Sequence, residues 1–253
     1  MSSRNILLVI GAGPRLGQSV ADKFANEGYR VALAARSLTS GLSSAGMLKI
    51  KADLSDPNSV STIFQTVHNT WGPPNIVVYN GANRITTAVD DPLSAPLGDI
   101  QAARTVGFDS AYLAAQEALH GFKSLPDQLC KAFIYTGNAL SQIAIPGVLP
   151  FAVGKVSAAM LIEYAANAYG PHGYKFYFAD ERQSDGRPAA LDIDGAAHAD
   201  MYWELANEKL QSYWLVTFVK NQGRQDFAGV DFQGHNRVSH YKRMRDAAAE
   251  RNN

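Results

Sequence analysis

Ile6-Leu7-Leu8-Val9-Ile10-Gly11-Ala12-Gly13-Pro14-Arg15-Leu16-Gly17 is the stretch that decides the fold. Its first five residues form a short, unbroken apolar run, which suits a strand buried on both faces of a parallel sheet. Three glycines follow, at Gly11, Gly13 and Gly17. Ser19 to Gly28 then carries apolar residues at Val20, Phe24 and Ala25, the pattern of an amphipathic helix closed by glycine. Val31 to Ala35 is a second buried strand. Strand, glycine loop, helix and strand within about thirty residues make a βαβ unit. The glycines let backbone approach a pyrophosphate, and the helix N-terminus offers free N–H groups and partial positive charge. A dinucleotide site is the expectation; a tight turn with no ligand is the plainer alternative.

Outward from this unit, strands and helices continue to alternate. Met47 to Ala52 reads as a third strand ending at Asp53, and Ser55-Asp56-Pro57 opens a helix to Trp71 that stops at Gly72-Pro73-Pro74. Further strands are expected at Ile76 to Tyr79, Ala132 to Tyr135, Tyr174 to Ala179 and Trp214 to Lys220. Long helices are expected at Asp99 to Leu119 and Phe151 to Tyr169, with a shorter one at Ala199 to Lys209. Residues 37–46 read as a loop or poor helix, 84–98 as an excursion, and 180–200 as a polar substrate loop or lid. The tail, 240–253, reads as frayed. The pattern predicts one doubly wound α/β Rossmann domain over 1–253, with a parallel seven-stranded sheet and helices on both faces.

Composition narrows the function. The 253 residues can build a substantial core. Lys plus Arg and Asp plus Glu balance at 23 each, so no nucleic-acid or anionic-membrane partner is expected. The single cysteine, Cys130, excludes an internal disulfide and reads as a buried, inert thiol. No secretory leader is read at the N-terminus, and no apolar run is read as approaching the ~20 residues of a spanning helix. A cytoplasmic protein with a small-molecule substrate is the expectation.

With these residues in hand, the chain resembles the short-chain dehydrogenase/reductase family over roughly residues 5 to 180. The family's Thr-Gly-x-x-x-Gly-x-Gly motif falls on Ile10 through Gly17; Gly11 and Gly17 match, Arg15 replaces the middle glycine, and Gly13 and Leu16 lie inside the motif. Asn-Asn-Ala-Gly appears as Tyr79-Asn80-Gly81-Ala82, retaining Asn80. Asp53 matches the family aspartate that hydrogen-bonds the adenine. The resemblance implies a nicotinamide cofactor and oligomers built from the two long helices, a homodimer or homotetramer. An acid at the end of the second strand would favour NAD(H), whereas an arginine would pair with a 2′-phosphate. Arg36 stands there, with Arg15 nearby, so NADP(H) is expected. The cofactor set is Gly11, Gly13, Arg15, Leu16, Gly17, Arg36, Asp53, Asn80 and Lys155.

The family's Tyr-x-x-x-Lys falls on Phe151-Ala152-Val153-Gly154-Lys155. In the family the lysine holds the nicotinamide ribose and lowers the tyrosine pKa, and the phenol moves the proton. Here the lysine remains and the acid is a phenylalanine. The family serine, thirteen residues earlier, lands on Asn138, and its helix-kinking asparagine on Gly107. The family Pro-Gly after the sixth strand is replaced by Asp180-Glu181-Arg182. Lys155, Asn138 and Phe151, standing for tyrosine, are thus the catalytic positions. Three readings follow: an NADP(H)-dependent oxidoreductase with an atypical site, a cofactor-bound isomerase or cyclase, and an NADP(H)-sensing binding protein. Tyr112, Tyr135, Asp180 and Glu181 are substitute acids, each against a plain role as a bonded tyrosine or a solvated carboxylate. Tyr202, Trp203 and Trp214 could line a pocket or be core. His172 sits in a turn with no second histidine at ligand spacing, His198 reads as solvated, and no metal site is expected.

Overall fold

The computed structural model describes residues 5–227, so the tail expected to fray lies outside the described residues. The strands are β1 (Ile6–Ile10), β2 (Arg30–Ala35), β3 (Gly41–Leu42), β4 (Leu48–Lys51), β5 (Ile76–Tyr79), β6 (Lys131–Thr136), β7 (Tyr174–Arg182), β8 (Leu215–Val219) and β9 (Gly223–Arg224). They form one sheet in the order β3-β4-β2-β1-β5-β6-β7-β8-β9. Every pair is parallel except the two edges, where β3 pairs with β4 and β9 with β8 antiparallel. The expected seven parallel strands are therefore present, and the strand count is corrected to nine. Both additions are two-residue hairpin arms too short to show a two-residue alternation. The first lies in residues 37–46, read from sequence as a loop or poor helix; the turn closes by Gly46 N–H donating to Ser43 O.

The main helices are α1 (Leu16–Asn26), α2 (Ser59–Trp71), α3 (Leu97–Arg104), α4 (Ser110–Ser124), α5 (Leu149–Tyr169) and α6 (Gly195–Asn207). Strand alternation sends Leu7 and Val9 of β1 toward α1 and α6, and Ile6, Leu8 and Ile10 toward α2, α4 and α5. Each face closes its own apolar core, which is why β1 has no polar position to spare. The chain direction across the sheet reverses between β1 and β5, the crevice where doubly wound sheets bind ligands.

The expected helix from 99 to 119 is longer and interrupted. Between α3 and α4, Thr105–Asp109 forms a π-helical turn. Gly107 sits in it, against Gly154 of α5: a Cβ on Gly107 would stand 2.9 Å from the Gly154 Cα, and one on Gly154 would stand 3.0 Å from the Gly107 Cα. The helices meet backbone to backbone there. The turn leaves carbonyls that buried tyrosines satisfy: the Tyr79 hydroxyl donates to Val106 O at 2.6 Å and that of Tyr135 to Gly107 O at 2.8 Å.

Three further boundaries differ. β7 runs on to Arg182, because Asp180, Glu181 and Arg182 pair with Thr217, Phe218 and Val219 of β8. α6 starts at Gly195, capped by Asp194 Oδ1 accepting from Ala197 N–H. The polar loop thus shrinks to 183–194, with a short helical turn at Ala190–Asp192. Leu149–His172 is long and apolar enough, by length and composition, to cross a membrane, contrary to the sequence expectation; one face of it packs on the sheet.

Candidate functional site

At the β1–β5 crevice the glycine loop is held by backbone. Gly11 and Ala12 N–H both donate to Ala34 O, and Asn80 Nδ2 donates to Gly11 O at 2.9 Å. Asn80 therefore ties the end of β5 to the loop. Gly11 has φ +82, and a Cβ there would lie 2.6 Å from Gly81 N, so only glycine fits. Gly17 packs on Ala12 in the same way. Gly13 differs: nothing lies within 4 Å of its Cβ position, leaving an open cradle above the loop. Arg15 is the N-cap of α1 and makes no side-chain cap, and no acid lies in the first turn. The unspent N–H groups of that turn suit an anion. Leu16 is buried against the α1–α6 core, so it anchors the helix.

Arg36 is exposed at the end of β2, and Asp53 is exposed after β4. Asp53 Oδ1 accepts from Ser55 N–H at 3.0 Å; this bond first, and the charge of Arg36 as well, lower its pKa. Arg15 instead reaches across the loop, its Nη1 donating to Leu191 O at 3.4 Å.

The positions that correspond to the family's catalytic set converge beside β6, with one rearrangement. Lys155 is 4% exposed and donates from Nζ to Thr136 O at 2.7 Å. The ammonium lies 4.7 Å from the Tyr135 ring centroid and 5.5 Å from that of Phe151. Burial lowers its pKa to about 7, against the opposing effect of Asp180. Asn138 turns one face of its amide back into its own loop, Oδ1 accepting from Leu140 N–H, which leaves Nδ2 to donate elsewhere. Gly107 contributes no side chain; its role is the helix contact described above.

The substitute acids sort themselves. Tyr135 is bonded to Gly107 O and held above the ordinary phenol range by burial, so it is a structural tyrosine. Tyr112 is 43% exposed on α4 and its hydroxyl accepts from Gln116. Asp180 is no solvated carboxylate: it is wholly buried, and Oδ2 takes Arg182 Nε at 2.6 Å. Burial raises its pKa to about 6, against the opposing effects of Arg182 and Lys155. Arg182 also donates to Gly186 O at 2.9 Å and to Gln142 Oε1 at 2.6 Å. Neither Arg182 nor Gln142 had been singled out from sequence.

Glu181 points to the opposite face of the sheet. Its Oε2 accepts from Asp194 N–H at 2.8 Å and lies 3.3 Å from His198 Nδ1, and burial raises its pKa to about 7. His198, expected to be solvated, is 1% exposed; burial lowers it to about 4, so it is neutral and Nδ1 bonds Asp194 O. The correction has a local cause: α6 begins earlier than expected and carries His198 inward. His172 is exposed in its turn. Tyr202 is core and bonded to Thr136 Oγ1, and Trp203 is half-buried, packed against that core on Phe24 and Tyr29. Trp214 packs on Phe178. Cys130 is half-buried rather than buried.

Comparison with known proteins agrees with this geometry. A family model described as enoyl-(acyl carrier protein) reductase matches residues 11–177. The protein described as short chain dehydrogenase/reductase dmxR12, from Cryptosporiopsis sp. (strain 8999), is 38% identical over 236 residues, 89% of this chain and 96% of its own length. Among solved structures, a double mutant of a Serratia marcescens short-chain dehydrogenase/reductase superposes with TM-score 0.72 at 18% identity, covering 87% of this chain and 98% of its own. ElxO with NADP bound gives TM-score 0.72 at 14% identity, over 85% and 97% of the two chains. A tyrosine-to-phenylalanine variant of ElxO with NADPH bound gives 0.71 at 15% identity, over the same shares. By the matched family model and this sequence identity, the chain belongs to the short-chain dehydrogenase/reductase family.

Proposed function

We propose that this protein binds NADP(H) and acts as an oxidoreductase on a small carbonyl or alcohol substrate. The observation that carries the reading is the cradle over Gly13, with the uncapped start of α1 beneath it and Arg36 at the end of β2. Gly11, Gly13, Gly17 and the first turn of α1 would hold the phosphates, and Arg36 a 2′-phosphate. NADP(H) supplies or accepts the hydride when bound. Asn138 Nδ2 would then orient a substrate oxygen. NADP-bound ElxO supports the cofactor choice, and its Phe variant shows that such a neighbour holds NADPH after a Tyr→Phe change.

The substrate would be selected by a rim of three segments. Thr87 N–H donates to Gly147 O at 2.9 Å, tying 84–98 to 138–150, and Gln142 ties the latter to Arg182. The segment 183–194, linked to Arg15 through Leu191 O, is a lid in this reading. Exposed Val156, Met160 and Tyr164 form a stripe on α5, and with Tyr112 on α4 they support self-association through these helices.

Fluorescence titration tests the cofactor: NADPH is expected to bind at least tenfold more tightly than NADH, and equal affinities would refute the assignment. Phe151→Tyr is expected to raise NADPH-dependent reduction of an aromatic ketone panel tenfold or more, since a placed general acid contributes about 10²–10⁴ where no other acid serves. An unchanged rate would show that proton supply does not limit this site. Phe151 itself favours a second reading, a cofactor-bound isomerase or cyclase or an NADP(H) sensor. Product formed without change at the nicotinamide absorbance selects the former. Tight NADPH binding with no product selects the latter.

A further inference from the structure

The loss of the phenol leaves the site with two polar groups that have unspent hydrogen-bonding capacity inside the protein. Lys155 has three N–H donors and spends one, on Thr136 O. Asp180 spends Oδ2 on Arg182, while Oδ1 is buried with no hydrogen-bond partner. Both side chains lie on the α5 face of the sheet, one from α5 and one from β7, and each feels the other's charge without a direct ion pair. An unspent buried carboxylate oxygen is costly unless something fills the position. Arg182 fixes this carboxyl in place and is itself tied to the substrate rim through Gln142.

We propose that Lys155 and Asp180 form the proton-exchanging couple of this site, taking a carbonyl or alcohol oxygen of the substrate, or a water in its place, between them. The proposal rests on the oxidoreductase reading. When a substrate oxygen gains negative charge, an N–H bond of the Lys155 ammonium breaks and an O–H bond forms. The neutral amine regains a proton from the Asp180 carboxyl, and that carboxylate regains one from solvent. In the oxidative direction the same transfers run backwards. The groups around the couple are Tyr135 on β6, whose ring faces the Lys155 ammonium, and Arg182 on β7, paired with Asp180; Asp180 in turn acts on Tyr202 of α6. Two groups brought near neutrality by burial, and coupled to each other, suit proton exchange at cellular pH.

The test follows the Lys155 13Cε resonance against pH in protein carrying 13C-lysine, assigned by its loss in Lys155→Met. The wild type is expected to titrate near 7. Asp180→Asn is expected to lower that midpoint by about one unit or more, because it removes the neighbouring negative charge; Asp180→Glu is expected to restore it. A wild-type midpoint above about 9, or one that Asp180→Asn leaves in place, overturns the proposal. Should the asparagine variant not fold, the 13Cγ titration of Asp180 in the wild type decides. A step near 6 with a second inflection at the Lys155 midpoint is expected, and a single step below about 4 overturns it. NADPH oxidation with 9,10-phenanthrenequinone supplies a separate reading, whose rate should fall as pH rises through the Lys155 midpoint and move with Asp180→Asn. A pH profile unaffected by that variant overturns the couple. Normal titrations with NADPH bound and no quinone reduced overturn the oxidoreductase reading instead.

Discussion

Gly11→Ala is expected to cost roughly 2–5 kcal/mol of stability and to abolish NADPH binding, whereas Gly13→Ala should leave stability within about 0.5 kcal/mol and still weaken NADPH tenfold or more. The two glycines are two residues apart, but they face different things. At Gly11 the backbone is left-handed at φ +82, and the added methyl would meet Gly81 N at 2.6 Å and Asn80 C at 2.7 Å. Those are main-chain atoms of the crevice, held by Asn80 itself, so they cannot step aside without loosening β1 from β5. At Gly13 the methyl meets no protein atom. Urea unfolding and NADPH titration on both variants check the pair. If Gly13→Ala binds NADPH like the wild type, the phosphates do not come to this loop, whatever the fold.

How far the site was legible follows from which interactions are local. The run Ile6–Ile10, the glycines and the second strand carry their meaning within one unit, because a doubly buried strand and a tight turn each need particular residues in immediate succession. Phe151 and Lys155 were readable for the same reason, being one turn apart on one helix. What the sequence concealed depends on other elements. Gly107 looked like a lost asparagine, yet its lack of a side chain is what lets the π-turn and α5 approach through Gly154. The inward turn of Lys155 depends on Thr136, on another element, and no spacing announces it.

The charges of Asp180-Glu181-Arg182 looked like the start of a polar loop. They belong to a strand because β8 pairs with them, which is long-range information. A signal was available nonetheless: residues two apart on a strand share a face, so Asp180 and Arg182 could have been read as a pair and Glu181 as facing away. His198 carried a similar signal, four residues after the capping Asp194 and so one helical turn into α6.

Arg182→Met is expected to lower stability by about 3–5 kcal/mol at pH 8 and by much less at pH 5. Arg182 and Asp180 both have fully buried side chains, so removing the cation strands an unpaired carboxylate in the protein interior. Lys155 cannot take over at pH 8, because with a pKa of about 7 it is largely neutral there. The sign of the pH dependence follows from Asp180. Its folded pKa, already raised to about 6 by burial, rises further once Arg182 is gone. A carboxyl with a raised folded pKa binds more protons folded than unfolded, so the variant loses stability as pH climbs from the unfolded value near ~4 through the folded one. At pH 5 the buried acid is protonated and the missing guanidinium costs mainly its hydrogen bonds to Gly186 O and Gln142. Urea midpoints at the two pH values measure this directly. Adding Asp180→Asn to Arg182→Met should return much of the loss at pH 8, since the double variant buries no charge. A deficit equal at both pH values, or one the second substitution leaves in place, would mean that Arg182 acts here by packing and by its loop contacts rather than by holding a buried charge beside Lys155.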